Sequence, residues 1–277
     1  MRLTILADNN TLIDVYYLGE PGLSILVEEG NNKILFDLGY SDVFMRNAYK
    51  MGIDLREVNR IVLSHGHLDH TWGLISLMEN MEASTYKDSG RRIKLLTHPA
   101  ALDLKMDEGE PIGFIYSQAA LTRCFEVQLS RKPVWLSEKL VYLGEIERTN
   151  KFENQEPIGT TVINGVEQQD YLPDDSALAY KSEKGLVIIT GCSHSGICNI
   201  IEHAKKICQE DKVADIVGGF HLLAPSAEQL AHTLEYMGRL EPEQVHACHC
   251  TDLHSKIALA QAVNLKEVGV GLTLEYE

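Results

Sequence analysis

Between residues 61 and 70 the chain reads Ile61-Val62-Leu63-Ser64-His65-Gly66-His67-Leu68-Asp69-His70, an apolar run passing straight into three histidines and an aspartate. A short apolar run bounded by polar residues is the pattern of a buried β-strand. Side chains two apart in an extended chain point the same way, so His65 and His67 can offer two imidazoles to one cation. Asp69 and His70 fall where the chain turns toward the next helix and can face a second cation. Gly66 leaves room for the bend. With only 11 histidines in 277 residues, a polar surface loop accounts poorly for three of them and an aspartate within six positions. Imidazole and carboxylate suit zinc, iron or manganese without choosing among them.

A chain of 277 residues suffices for one large domain or two small ones. Its 44% apolar and 23% charged residues are a globular balance. The net charge of -15 argues against a nucleic-acid partner, because the basic pairs Arg91-Arg92 and Arg131-Lys132 stand isolated. No apolar stretch approaches the roughly 20 residues that cross a bilayer, so no membrane partner is expected. Met1–Asp8 turns polar too early for a secretory signal, which leads to the expectation of a cytoplasmic protein. Its six cysteines are expected as reduced thiols, with Cys124, Cys198 and Cys208 mostly buried.

Period-2 patterning predicts strands at Leu3–Leu6, Ser24–Val27, Lys33–Phe36 and Ile61–Leu63, with a hairpin turn at Asn31-Asn32. Helices are predicted over Val43–Met51, with Gly52 past its end, and over Trp72–Met81. The stretch of about 80–172 is read as irregular insertions and loops around one core, forming a lid rather than a second domain. Regular alternation returns with strands Ala177–Lys181, Leu186–Thr190, Ala214–Val217, Val245–Cys248 and Val268–Leu274. Helices are expected near Gly196–Cys208, from Ser226 (a capping box with Gln229) to Gly238, and over Ser255–Ala262. Strands followed by helices, occurring twice, predict one α/β domain over 1–277. Its architecture is a four-layer αββα sandwich, two mixed β-sheets face to face with helices outside.

The pattern His-x-His-x-Asp-His after an apolar strand resembles the hallmark of the metallo-β-lactamase superfamily. Gly22–Val27, Ile34–Gly39, Ser64–Leu74, Gly191–Gly196 and His249–Thr251 are similar to one branch of it. That branch is described as dihydropteroate-synthase-like and associated with a dihydropterin ribofuranosyl-aminobenzene phosphate synthase activity. The resemblance implies further ligands at later strand ends, where Cys192-Ser193-His194, Gly219-Phe220-His221 and Cys248-His249-Cys250 are the candidates. Carried over, His65, His67 and His194 would hold one metal, and Asp69, His70 and His249 the other. Cys192 stands where many members have a bridging Asp after a Gly. It can fill that slot as a thiolate, which would favour zinc, lie behind the metals, or be a buried thiol. Asp174 or Asp175 can approach the site instead, although a turn or cap is the commoner role. Trp72 replaces a Gly usual in the branch. Asp37 is either a turn residue or a carboxylate accepting a hydrogen bond from a ligand imidazole. His221 can be a ligand, a general acid or a contact to substrate oxygen, with the substrate-facing roles favoured. His98, His203, His232, His246 and His254 lack such a context.

Two divalent metal ions, zinc first and iron or manganese as alternatives, make hydrolysis of an ester or phosphoester the default expectation. A metal-bound hydroxide would be the nucleophile, with Asp69 and His221 as catalytic groups and a small, anionic or phosphorylated molecule as substrate. The branch resemblance implies an alternative, a pterin-condensing synthase. A non-catalytic metal or ligand sensor is the third reading. Gly191-x-x-x-x-Gly196 is followed by Ile197 and lacks the lysine of a phosphate-cradling loop, so no such nucleotide loop is expected. Oligomeric state is not legible.

Overall fold

Leu3 and Ile5 point to one side of the first strand and Leu6 and Ala7 to the other, and both sides are buried. The same alternation recurs in Ile34 and Phe36 against Leu35, and in Val187 and Ile189 against Leu186 and Ile188. Strands buried on both faces must lie between layers. The computed structural model describes residues 1–83, 92–163 and 165–277 and realises that requirement.

In chain order the first half comprises β1 (Arg2–Ala7), β2 (Ser24–Glu29), β3 (Asn32–Phe36), α1 (Val43–Lys50), β4 (Arg60–Val62), α2 (Leu68–Thr71), α3 (Gly73–Ala83) and β5 (Ile93–Thr97). Then come β6 (Leu104–Asp107), β7 (Glu110–Pro111), α4 (Gln118–Cys124), β8 (Phe125–Leu129), β9 (Val134–Trp135), β10 (Leu140–Tyr142), β11 (Thr160–Ile163) and β12 (Val166–Gln169). The last part holds β13 (Ala177–Ser182), β14 (Gly185–Thr190), α5 (Ile197–Cys208), β15 (Val213–Gly219), α6 (Ala227–Leu240), β16 (Gln244–Cys248), α7 (Leu253–Ala262) and β17 (Thr273–Glu275).

One sheet has the order β17-β1-β2-β3-β4-β5-β8 and the other β16-β15-β14-β13-β10-β9. Each mixes parallel and antiparallel pairs. Their facing sides meet in a core that includes Ile5, Ile25, Phe36 and Val62 from the first sheet and Tyr142, Leu178, Val187 and Val217 from the second. Phe44, Ala48, Leu74 and Leu121 cover the first sheet's outer face, while Ile197, Ile201, Met237 and Leu259 cover the second's. The result is the expected αββα sandwich. Each fully buried Leu, Ile or Phe in these layers is worth about 1.5–3 kcal/mol relative to exposure. No described helix is long and apolar enough to cross a membrane.

The stretch 80–172 departs from the irregular reading. Strands β5 and β8 extend the first sheet in parallel, and β9 and β10 extend the second. Among the described residues, only β6, β7, β11 and β12 stand apart, as a four-stranded sheet of order β12-β11-β6-β7. These strands are short and prolines interrupt the stretch, which masks their period. Residues 84–91, including Arg91 of the Arg91-Arg92 pair, and Asn164 lie outside the described residues.

Other differences are local. The β2–β3 hairpin pairs Glu29 with Asn32, so the turn is Gly30-Asn31, with Gly30 at φ 56°, one residue before the expected place. The helix expected over Trp72–Met81 begins earlier as the single turn α2 and resumes as α3 at Gly73. A Cβ on Gly73 would meet the Leu38 carbonyl oxygen at 2.0 Å. The last strand is only Thr273–Glu275, because Gly269 and Gly271 fold back on the 11–17 segment. All six cysteines are free, Cys198 and Cys208 buried as expected and Cys124 half-buried.

The pairings run β1, β3 and β4 one way in the first sheet and β14, β15 and β16 one way in the second, and the His249 N–H donating to Asp8 Oδ1 joins the two sets of ends at one edge. Carboxyl ends of such strands deliver side chains to one crevice. The residues that follow them are Asp8, Asp37, Ser64-His65, Cys192, His221 and His249.

Candidate metal centre

β4 ends at Val62, and three residues later His65 stands fully buried with Nδ1 2.8 Å from Ser64 Oγ. The Ser64 hydroxyl donates to Asp37 Oδ2 at 2.7 Å, so it accepts from His65, and the imidazole's Nε2 is left bare. That Nε2 lies 3.2 Å from His194 Nε2. The rings of His67 and His194 pack edge-on with centroids 4.8 Å apart, and His67 Nε2 is buried without a partner. His65, His194 and Cys192 bring their donor atoms within 4.8 Å of one another, with His67 beside them.

The second group is Asp69, His70, Cys192 and His249, again within 4.8 Å. His70 Nδ1 donates to Asp37 Oδ2 at 2.7 Å, and His249 Nδ1 lies 3.0 Å from Asn9 Oδ1. Both Nε2 atoms therefore face inward as lone pairs, 3.1 Å from each other. Asp69 Oδ2 is 3.2 Å from His249 Nε2 and 3.6 Å from His70 Nε2. With both rings neutral the two nitrogens cannot hydrogen-bond to each other, and the carboxylate beside them adds only acceptors, so the cluster calls for a cation, either a proton on His70 or a metal ion. A cation between them satisfies all three, so the donor set fits a metal ion.

Cys192 belongs to both groups. Its Sγ lies 3.1 Å from His70 Nε2. Its sulfur is thus within reach of the donor atoms of both halves, and it is also buried.

Close approach at this edge depends on small residues. A Cβ on Gly191 would meet Ser64 Oγ at 2.1 Å and Asp37 Oδ2 at 3.0 Å. Gly66 serves differently from the expected bend: its φ is ordinary, but a Cβ there would meet the Ala101 carbonyl oxygen at 2.3 Å. Asp37, Ser193, His221 and His249 all adopt left-handed backbone conformations, with φ of 57°, 62°, 49° and 51°. Non-glycine residues enter that region at a cost, and clustering at one edge is typical of functional sites.

His221 packs against His194 with ring centroids 4.3 Å apart, and its backbone N–H donates to Cys250 Sγ at 3.3 Å. It is half-buried and borders the three-histidine half. Asp174 and Asp175 are buried but stay outside both groups of donor atoms. Trp72 stacks on Tyr40 at 5.4 Å and donates from Nε1 to the Gly113 carbonyl at 3.0 Å. Four of the remaining five histidines have structural partners: His98 accepts from Ala100 N, His203 contacts the Leu143 carbonyl, His232 packs on Phe152 and His246 pairs with Asp215. Sequence reading missed Asp8, which accepts from His249 N at 3.0 Å, along with Asn9 and Lys105.

Burial, then repulsion from His70 and His194, holds His65 well below the ordinary imidazole value. Burial likewise lowers His194, and brings His67 down to about 4. These three are neutral donors at pH 7. Burial also opposes protonation of His70, but Asp69 and Asp37 outweigh it and raise His70 to about 9, so without a metal its Nε2 carries a proton that a bound metal ion would displace. Burial acts to raise Asp69, and His70 and His249 outweigh it, so its carboxyl is held well below the usual range. His221 is raised because Cys250 and Asp175 outweigh its burial.

The family model described as "Metallo-beta-lactamase superfamily" matches residues 18–249. The chain belongs to the metallo-β-lactamase superfamily. Among members, it is 30% identical over 266 residues to the 7,8-dihydropterin-6-methyl-4-(beta-D-ribofuranosyl)-aminobenzene-5'-phosphate synthase of Methanocaldococcus jannaschii, covering 91% of this chain and 87% of that one. An uncharacterized protein of the same organism is 28% identical over 97% of this chain and 98% of its own. A crystal structure described as a metal-dependent hydrolase of the β-lactamase superfamily superposes with a TM-score of 0.83 at 30% identity, covering 99% of this chain and 98% of that one. As a superfamily member with His/Cys/Asp groups of metal-binding geometry, the chain is a metal-dependent enzyme.

Proposed function

We propose that this superfamily member is a metal-dependent hydrolase that cleaves an ester or phosphoester bond in a small anionic molecule. The observation that carries the reading is the paired set of inward-facing nitrogens, His65 with His194 and His70 with His249, joined by Cys192. Two divalent cations held there, zinc favoured by the thiolate, would acidify water and stabilise a developing oxyanion. The chain's own groups supply the rest. The side chain of Asp69 is 29% exposed whereas His70 is fully buried, so Asp69 meets the solvent side of the site and orients an attacking water. His221 borders the three-histidine half and carries a raised pKa, which suits it to hold a proton for the leaving oxygen. Asp37, Ser64 and Asn9 keep the imidazoles in the tautomers that leave their Nε2 atoms free.

A second reading has its own support, the 30% identity to the archaeal synthase over most of both chains. In that reading the same centre joins a pterin carried on a diphosphate to a ribofuranosyl-aminobenzene phosphate, the bond from the pterin to the diphosphate breaking as the new bond forms and the diphosphate leaving. One experiment separates the two. Metal-loaded protein is offered a panel of carboxylic and phosphate esters and, separately, a pterin diphosphate with the aminobenzene phosphate partner, and the products are resolved by mass spectrometry. Hydrolysed products that disappear in His67→Ala support the hydrolase. A joined pterin adduct with no ester cleavage sinks it in favour of the synthase.

A further inference from the structure

Pro173-Asp174-Asp175-Ser176 leads into β13, which runs antiparallel to β14, so its first residues stand at the same edge as the histidine-bearing strand ends. Both aspartates are at most 1% exposed, yet they reach in different directions. Asp174 Oδ2 accepts from the backbone N–H of Gly66 at 2.8 Å, the residue between His65 and His67. Asp175 Oδ2 accepts from the backbone N–H of Ser195 at 2.8 Å, and from the Ser195 hydroxyl, immediately after His194. Neighbouring Ser176 N donates to the Ser64 carbonyl at 2.9 Å.

Two adjacent buried carboxylates are costly, and a turn into a strand needs neither. Asp174 is balanced by Lys105, itself 1% exposed, whose Nζ lies 2.9 Å from Asp174 Oδ1 and 2.6 Å from Asp170 Oδ2. The loops that Asp174 and Asp175 hold come from different sheets, one after β4 and the other after β14. A single rigid peptide unit between Asp174 and Asp175 spans them. Hydrogen bonds from N–H groups to an ionised carboxylate are short and strong, which makes the span stiff.

We propose that Asp174 and Asp175 are positioning residues that set the separation between the His65–His67 loop and the His194 loop. They act through Gly66 and Ser195 and do not touch the metal. The Asp69/His70/His249 half has other supports, Asp37, Asp8 and Asn9. Loss of the brace therefore weakens one half of the centre and spares the other. The inference rests on the metal reading of the site.

Cobalt(II) titration of the full-length chain, followed by visible absorption and equilibrium dialysis, tests it without reference to activity. The wild type is expected to bind two cobalt ions. Asp174→Ala and Asp175→Ala should weaken one of them about 10–100-fold, the range for losing an outer partner of a metal ligand, with the other unchanged. Asp174→Asn and Asp175→Asn, which keep an accepting oxygen in place, should recover most of the loss. Alanine variants that fold by near-ultraviolet circular dichroism and bind both ions as the wild type does overturn the brace. Equal loss of both ions also overturns it. Where the alanine variants do not fold, Asp174→Glu and Asp175→Glu decide, because they keep the charge and displace the oxygen by one methylene. Selective loss of one cobalt in these variants supports the brace, and wild-type binding overturns it. A wild-type chain that takes up no cobalt overturns the metal reading together with the brace, whereas normal uptake with unaffected variants overturns the brace alone.

Discussion

Asp37 Oδ2 accepts a hydrogen bond from His70 Nδ1 at 2.7 Å, with both side chains fully buried. The same oxygen accepts from Ser64 Oγ at 2.7 Å, and Ser64 in turn orients His65. One carboxylate thus fixes an imidazole in each half of the centre. Asp37→Ala should weaken both metal ions about 10–100-fold, a pattern distinct from the one-sided loss expected at Asp174 and Asp175. Competitive zinc titration measures it, and undiminished affinity for both ions would count against the role assigned to Asp37.

Cys192 offers the one sulfur common to both groups of donor atoms. Cobalt-loaded wild type should therefore show a near-ultraviolet thiolate-to-metal absorption band that Cys192→Ala lacks. Cys192→Asp should restore two bound ions without the band, because a carboxylate can bridge them, and should shift preference from zinc toward harder ions such as manganese. An unchanged band in Cys192→Ala would assign the sulfur to another cysteine.

Lys105 holds Asp174 in its charged form. Burial acts to raise the Asp174 carboxyl, but the attraction and hydrogen bond of Lys105 outweigh it and set the folded pKa below 3.8. A depressed carboxyl contributes stability that is fully present above its unfolded value and lost as pH falls through its folded one. Lys105→Met leaves two buried carboxylates, Asp174 and Asp170, without their partner, so it should cost about 3–5 kcal/mol or more at pH 7. Without Lys105, burial raises the Asp174 carboxyl, so the variant protonates it above the ordinary carboxylate range and the deficit should narrow steadily as the pH falls from 7. Urea denaturation of wild type and variant from pH 3 to 7 checks both statements, and a gap that stays constant with pH would refute the pairing as its cause.

Legibility in the sequence followed how local each cause is. Alternating runs such as Leu3–Leu6 and Leu186–Thr190 announce their sheets because one residue's side is fixed by its neighbour's. His65, His70, His194 and His249 announce themselves by standing directly after such runs. Asp8 and Asn9 follow β1 in the same way and could have been found by the same rule, but carboxylate and amide after a strand are ordinary turn chemistry. Lys105 was beyond reach. It reads as a solvated lysine in β6, and its partners Asp170 and Asp174 lie 65 and 69 residues away. Short strands such as β9 and β10 carry too few residues to show a period, so the sheet extensions within 80–172 emerge only from pairing across the fold.

Gly191 is the narrowest point of the centre. The ends of β14 and β4 approach so closely there that an added methyl would meet Ser64 Oγ at 2.1 Å and Ser64 Cβ at 2.6 Å. Those atoms cannot move aside without releasing Asp37, since Ser64 N donates to Asp37 Oδ1 at 2.7 Å and Ser64 Oγ to Oδ2. Gly191→Ala should therefore cost about 1–3 kcal/mol by overpacking, and the displaced Ser64 should carry the loss into the metal centre through His65 and His70. Gly238→Ala is the control, because a methyl there meets no atom within 4 Å and its φ is ordinary. Helix α6 should gain slightly from it. Thermal melts with and without zinc distinguish the outcomes: Gly191→Ala should lose most of the zinc-dependent rise in Tm, while Gly238→Ala keeps it. Equal zinc-dependent rises in the two variants would show that the β14–β4 contact does not govern metal binding.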